Sequence, residues 1–259
     1  MAQREYEGRP GSEPRSSFTF GADRLARIRR MEGWHFWFRS RQERLFSELG
    51  LWRGAPRGPV LDLGCGTGHV SRGLRARGEV VVGLDRRIEP AADGLAQSGP
   101  SQVKADAAQL PFTSASFAAV IALDLLEHVD DRVVLAEIAR ILAPGGQVFL
   151  TVPALAALWS QRDEAAGHRR RYTRSVLIQR AREAGLDVVH VGYFQFVLLP
   201  LVWVSRLLGR TTARAGDAEE QPHALINAAF LTINRIENRL SAWIRWPLGS
   251  SLIFVGRKP

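Results

Sequence analysis

Residues Val60-Leu61-Asp62-Leu63-Gly64-Cys65-Gly66-Thr67-Gly68 constrain the fold more than any other stretch of the chain. A short apolar run carries one acid and then breaks into three glycines at alternate positions. This is the pattern of a buried parallel strand feeding a tight turn and then a helix. Glycine suits such a turn because it tolerates positive φ and lets a ligand approach the backbone. The spacing excludes the dinucleotide fingerprint G-x-G-x-x-G, which requires glycine at position 69. The chain has His69 there.

The downstream sequence repeats the strand-then-acid pattern. Val80-Val81-Val82-Gly83-Leu84-Asp85 reads as a second buried strand. Asp85 follows Gly64 by 21 positions, where a carboxylate can accept both ribose hydroxyls of a nucleoside. Ala105-Asp106-Ala107 then precedes Leu110-Pro111-Phe112. Phe117 to Leu123 reads as a fourth strand, followed by Asp124-Leu125-Leu126-Glu127-His128-Val129. Leu142-Ala143-Pro144-Gly145-Gly146 is a helix stop and turn before a strand from Gln147 to Val152.

Taken in this order, the motifs resemble those of the class I S-adenosylmethionine (SAM) methyltransferases, with Asp-x-Gly-x-Gly-x-Gly as motif I. The resemblance covers roughly residues 59–196 and 251–259. It implies an α/β, Rossmann-like, seven-stranded and mostly parallel sheet in the order 3-2-1-4-5-7-6. It also implies SAM as cofactor. By that likeness Asp62, Gly64, Cys65, Gly66 and Gly68 shape the methionine and sulfonium pocket. Asp85, with Arg86 beside it, holds the ribose. Asp106 and Ala107 face the adenine, and Leu123 lines the nearby wall. Cys65 is the chain's single cysteine, which excludes a disulfide framework and fits a reducing compartment. It reads as a small loop residue rather than a catalytic thiol.

Four regions are expected. Residues 1–20 are polar, without a signal-peptide core, and read as a disordered tail. Residues 21–58 form an N-terminal helical cap, with helical spacing from Ala22 to Leu49 and a break or bend at Gly33. Residues 59–196 and 249–259 form the SAM-binding domain. Residues 197–248 form a helical insertion between the last two strands. Within it, Val197 to Leu208 is apolar and Thr211 to Gln221 is polar and mobile. Ala224 to Trp246 is an amphipathic helix with Leu225, Ala228, Ala229, Ile233, Ile236, Leu240 and Trp243 on one side. Neither apolar segment spans a bilayer, because Pro200 and Arg206 interrupt the first and several charges the second.

Three clusters carry candidate chemistry. Trp34-His35-Phe36-Trp37-Phe38-Arg39-Ser40-Arg41 places rings on more than one helix face, so Trp37 is a candidate substrate contact. Related methyltransferases place an N-terminal helix over SAM, which implies that Arg39 or Arg41 pairs with the methionine carboxylate. His128 follows the fourth strand at the edge where open α/β sheets bind ligands. The segment Trp159 to Thr173 starts at the same edge and offers His168 as a base, Arg169, Arg170 and Arg171 as anion binders, and Tyr172. His168 is the first choice for catalytic base and His128 the second; Arg170 and Tyr172 are expected to touch the substrate. Thr173 reads as a helix N-cap. No H-E-x-x-H or C-x-x-C spacing is present, so no metal site is expected.

The net charge of +9 invites a nucleic-acid reading. Only Lys104 and Lys258 are lysines among 35 basic residues, so 33 are arginines scattered along the chain. That bias looks more like a GC-rich genome than a selection for phosphate binding, and no nucleic-acid partner is expected. A bacterial source is implied only by the likeness of Trp34–Arg39 and Gly167–Thr173 to a bacterial methyltransferase subgroup. The expected activity is methyl transfer to oxygen of a small-molecule or lipid-linked acceptor. The chain is expected in the cytoplasm, with peripheral contact to the inner membrane face and a homodimer both compatible with the apolar insertion. A SAM-binding or partner-binding module without transferase activity is the alternative, and an RNA methyltransferase the weaker one.

Overall fold

A computed structural model describes residues 22–49, 56–87, 102–209 and 222–259. The expected tail at 1–20 and the polar stretch 211–221 lie outside the described residues. Seven strands form one sheet: β1 (Val60–Leu63), β2 (Val81–Asp85), β3 (Gln102–Lys104), β4 (Phe117–Leu123), β5 (Leu142–Pro153), β6 (Asp187–Phe194) and β7 (Ser251–Arg257). The order is β3-β2-β1-β4-β5-β7-β6, as the motifs imply. Only β7 runs antiparallel to its neighbours, β5 and β6.

The strands read as continuous apolar runs because both sheet faces are covered. Alternation along β4 assigns its side chains. Val120 and Ala122 join the core under α4 (Asp131–Ile141) and α6 (Arg174–Glu183), whereas Ala119 and Ile121 face the other way. On that second face they meet Leu74 of α3 (His69–Arg75) and Leu45 of α2 (Phe36–Leu49), both fully buried. Caps set the helix starts. Asp130 accepts from the amides of Arg132 and Val133, Thr173 accepts from Val176, and Ser160 with Asp163 forms a reciprocal capping box on α5 (Gln161–Ala166).

The expected N-terminal helix is two helices. α1 (Ala22–Met31) and α2 are separated by a turn that contains Gly33. The insertion supplies α7 (Leu199–Gly209) and α8 (Ala224–Leu240). α8 ends at Leu240, short of Trp246, where Ser241 takes the C-cap position. β6, the strand preceding the insertion, ends at Phe194. β5 contains the expected Pro-Gly-Gly turn. Leu142 pairs with Phe117, and a continuous ladder resumes only at Gln147 opposite Ala119.

α8 lies alongside α2 in parallel, tied by polar side chains. Asn227 accepts from the Phe36 amide and donates to the Trp34 carbonyl, each at 2.8 Å. Asn234 donates to Ser40 Oγ at 3.1 Å, and Arg235 grips Glu43 at 2.6–3.1 Å. Glu237 accepts from the amides of Phe196 and Val197. The buried face is therefore Asn227, Leu231, Asn234 and Glu237. Of the apolar residues on the other side, Leu225 is 76% exposed, and Trp243 in the turn after the helix is 81% exposed. Among the described residues, no helix is long and apolar enough to cross a membrane.

Candidate active site

The parallel strands β1, β2, β4 and β5 deliver their following loops to one edge of the sheet, where ligands of open α/β sheets bind. The first half of that edge is the glycine loop. The amides of Gly64 and Cys65 donate to the Leu84 carbonyl at 2.7 and 3.1 Å. The Gly66 amide donates to Asp85 Oδ2 at 2.9 Å, so the loop is moored to the end of β2. Gly64 has φ +75°, and a Cβ there would meet Leu125 Cδ1 at 3.2 Å. Strain and space both demand glycine at that position.

Asp85 Oδ1 accepts a second amide, from Arg87, at 2.9 Å. Each oxygen keeps lone-pair capacity for a vicinal diol. Asp106 Oδ1 caps its own turn through the Ala108 amide, and Arg86 approaches Asp106 Oδ2 at 3.7 Å. Ala107 is buried beneath, and Leu123 is half-buried at the end of β4. This fits a nucleoside: a loop with no room for side chains beside a carboxylate still able to accept hydroxyls.

Asp62 and Cys65 face inward. Ser71 Oγ donates to Asp62 Oδ2 at 2.5 Å, linking β1 to the first turn of α3. Burial raises the Asp62 carboxyl to about 6 despite that bond. Burial, then the neighbouring carboxylates Asp62 and Asp85, push the Cys65 thiol far above its ordinary range, so it is no nucleophile at neutral pH. Glu32, in the turn after α1, accepts from Thr67 Oγ1 and lies 3.2 Å from Arg72. That buried acid clamps the loop from outside, and no local motif announced it.

Arg41, not Arg39, reaches the edge. Its guanidinium pairs with Asp124 at the end of β4 and lies 4.5 Å from the centroid of the Trp37 ring. Two residues along a helix are about 200° apart, so Arg39 turns the other way. It is 3.9 Å from Glu43 and lines a groove of about 440 Å³ with Phe46, His69 and Arg77 between α2 and α3. Thr151 Oγ1 also donates to Asp124, at 3.1 Å.

The second half of the edge joins the turn after β4 to the segment around α5. The Arg169 amide donates to the Glu127 carbonyl at 2.7 Å. This brings His128 and His168 together with ring centroids 4.8 Å apart and planes at 76°. His128 Nδ1 faces the Gly167 carbonyl at 3.3 Å, and His168 Nδ1 faces Asp163 Oδ1 at 2.9 Å. Both acceptors require the proton on Nδ1. Asp163 also accepts from Arg171 at 2.8–2.9 Å and lies 3.6 Å from Arg206 of α7. Burial alone would raise its carboxyl. The His168 hydrogen bond and the two guanidiniums override burial and hold it well below the usual range. Glu127 is buried, and burial followed by the Asp124 charge raises its carboxyl strongly.

Arg170 and Tyr172 are turned away from this cluster. Asp131 of α4 takes Arg170 at 2.8 Å and the Tyr172 hydroxyl at 2.9 Å, and the same hydroxyl donates to the Leu126 carbonyl. Side chains alternate along an extended chain, so Arg171 points to Asp163 while its two neighbours point to Asp131. Tyr172, 1% exposed, has no face to offer a substrate.

The family model for a methyltransferase domain matches residues 28–191. The chain belongs to the class I SAM-dependent methyltransferases. SAM is the cofactor of that family. The chain is 39% identical over 102 residues to a ubiquinone biosynthesis O-methyltransferase of Dechloromonas aromatica, covering 36% of this chain and 43% of that one. It is 36% identical over 112 residues to the 27-O-demethylrifamycin SV methyltransferase of Amycolatopsis mediterranei, covering 38% and 41%. The chain thus matches less than half the length of these relatives. A Haloferax volcanii methyltransferase, solved in complex with the Trm112 methyltransferase activator, superposes with a TM-score of 0.57 at 23% identity over 91% of this chain and 94% of that one. Phosphoethanolamine N-methyltransferase 2 of Haemonchus contortus superposes with a TM-score of 0.58 at 18% identity, covering 93% and 59%. At these identities the superpositions speak for the fold alone.

Proposed function

We propose that this methyltransferase transfers the SAM methyl group to an oxygen of a small-molecule or lipid-linked acceptor. The observation that carries this reading is the Asp163–His168 hydrogen bond beside the SAM-binding half of the edge. SAM supplies a methyl already activated by its sulfonium, so the protein's task is alignment and exclusion of water. The backbone of Gly64, Gly66 and Gly68, with Cys65 packed behind it, would shape the methionine pocket. Asp85 would hold the ribose with Arg86 beside it, and Asp106, Ala107 and Leu123 would surround the adenine. Asp62 acts from behind, through Ser71. Arg41 replaces Arg39 as the cation for the methionine carboxylate, and Trp37 would close over the acceptor.

His168 would take the proton of an acceptor hydroxyl. Asp163 fixes its tautomer with Nε2 as the basic nitrogen and stabilises the imidazolium once formed. His128 stands beside it as the second candidate. The test incubates purified protein with SAM and fractionated small-molecule and lipid extracts and measures S-adenosylhomocysteine. Acceptor-dependent formation that His168→Gln abolishes, with SAM affinity kept, supports the reading. Tight SAM binding without turnover in any fraction favours a SAM-dependent binding module instead.

A lipid-linked acceptor draws support from the outward apolar side chains of α8 and the turn after it. Trp243 stands exposed in the same short stretch as the exposed Arg239 and Arg245, and Leu225 is exposed at the other end of α8. Aromatic and basic side chains together suit an anionic membrane surface. Co-sedimentation with anionic but not neutral vesicles is the expected result. A concentration-dependent dimer without vesicle binding would assign the same surface to a second copy.

A further inference from the structure

We propose that Glu127, His128 and His168 form a binding site for a divalent transition-metal ion, with Zn²⁺ the best-matched. One carboxylate oxygen of Glu127 and one ring nitrogen from each histidine lie within 4.8 Å of one another. Zinc ligands stand about 2.0–2.2 Å from the ion, so tetrahedral donors are roughly 3.5 Å apart. Small side-chain rotations close the difference. Two imidazoles and one carboxylate suit zinc or iron rather than magnesium or calcium, which take oxygen shells. Three protein ligands also leave a coordination position open, as in catalytic rather than structural zinc sites.

Three further features point to an ion. Glu127 is 1% exposed, and its Oε2 atom has neither solvent nor a hydrogen-bond donor among the described residues. A buried carboxylate oxygen left so is costly, and a cation satisfies it. Each imidazole has its Nδ1 set against an acceptor, Asp163 for His168 and the Gly167 carbonyl for His128. Metal-ligating histidines are held in this way through the nitrogen that does not touch the ion, and the proposed site would use Nε2 of each. The two ligand-bearing segments are also locked together by the Arg169–Glu127 backbone bond, and Gly167 turns the chain with φ +73°. The surrounding charges are mixed: Asp124 and Asp163 are offset by Arg41, Arg171 and Arg206.

The role of the ion rests on the methyl-transfer reading; its binding does not. At the open position it would bind the acceptor oxygen and lower the pKa of its hydroxyl, whose proton would leave to solvent water. The oxygen would then take the methyl as the C–S bond of SAM breaks and S-adenosylhomocysteine leaves. In that state His168 acts on the acceptor through the ion rather than by taking its proton.

The experiment uses tag-free, chelator-stripped protein titrated with ZnCl₂ and CoCl₂, following heat of binding, ion content after gel filtration and the visible spectrum of the cobalt form. About one retained ion per chain is expected, with a low-coordinate cobalt spectrum. Glu127→Gln and His168→Gln should each weaken binding at least tenfold, and Asp163→Asn about 10–100-fold. Thermal melts identify any variant that fails to fold, and the remaining variants then carry the test. No retained ion, or equal retention by wild type and all folded variants, would overturn the site. SAM affinity of the stripped protein is measured in parallel. Ion loss with SAM binding intact sinks the metal site alone. Ion binding without SAM binding sinks the transfer reading and leaves the site standing.

Discussion

The two halves of the ligand edge are built from different materials. On the β1–β2 side the groups offered to a ligand are glycine backbone and one terminal carboxylate, all within a short stretch of chain. On the β4–β5 side they are side chains gathered from α2, the turn after β4, the loop after α5 and the insertion helix α7, with Asp163 holding several of them. A cofactor shared by a whole family can be held by backbone, whose geometry survives side-chain drift. An acceptor peculiar to one enzyme needs side chains, and those must be anchored over long distances.

The largest effect should come from breaking the side-chain half. Asp163→Ala leaves Arg171 and Arg206 without their carboxylate, and stability should fall by about 3–5 kcal/mol in urea unfolding. A loss below 1 kcal/mol would mean that this half is not held by its hub.

The next tests the backbone half, which hides one acid. Asp62 has its carboxyl raised from 3.8 to about 6 in the folded state. Its folded form binds the proton more tightly, so stability is fully present below about pH 4 and is lost as pH rises through 6. The loss attributable to this group is on the order of 3 kcal/mol. Asp62→Asn should flatten that decline in chemical unfolding between pH 4 and 7; an unchanged profile would remove the buried charge from the account.

Asp85→Ala removes charged acceptors for two hydroxyls, and SAM affinity should fall roughly 10–100-fold by calorimetry. Unchanged affinity would mean that the backbone alone holds the cofactor. Tyr172→Phe deletes a buried hydroxyl bonded to Asp131 and Leu126, at a cost of about 1.5 kcal/mol of stability with KM unmoved. A raised KM would restore Tyr172 to the substrate side. Smallest of all, Cys65 should resist alkylation in the native protein at pH 7 and react once it is unfolded. Fast native labelling would show the loop open to solvent.

The same contrast decides what the sequence could reveal. Strand order, the glycine loop and Asp85 follow from local pattern, since each feature lies within a few residues of the next. Arg41 was half visible, because the choice between it and Arg39 depends on how α2 rotates against the sheet. Arg170 and Tyr172 share a segment with His168, but alternation along it, which composition does not show, turns both toward Asp131. Asp163 carries the Ser160-x-x-Asp163 spacing of a capping box. Its pairing with Arg206, the Glu32 clamp and the meeting of His168 with Glu127–His128 have no local spacing, because those partners come from separate elements. Periodicity does not show which side of α8 is buried, because Asn227, Asn234 and Glu237 bind backbone and side-chain groups that apolar residues could not satisfy.

The position of β7 bears on how the protein is made. β5 and β6 are both finished before the insertion is translated, yet β7 must pass between them to pair with each. During vectorial synthesis their facing edges stay open while α7 and α8 emerge, and open edges recruit other chains. Expression yield should therefore depend on chaperone supply more than the finished sheet would suggest.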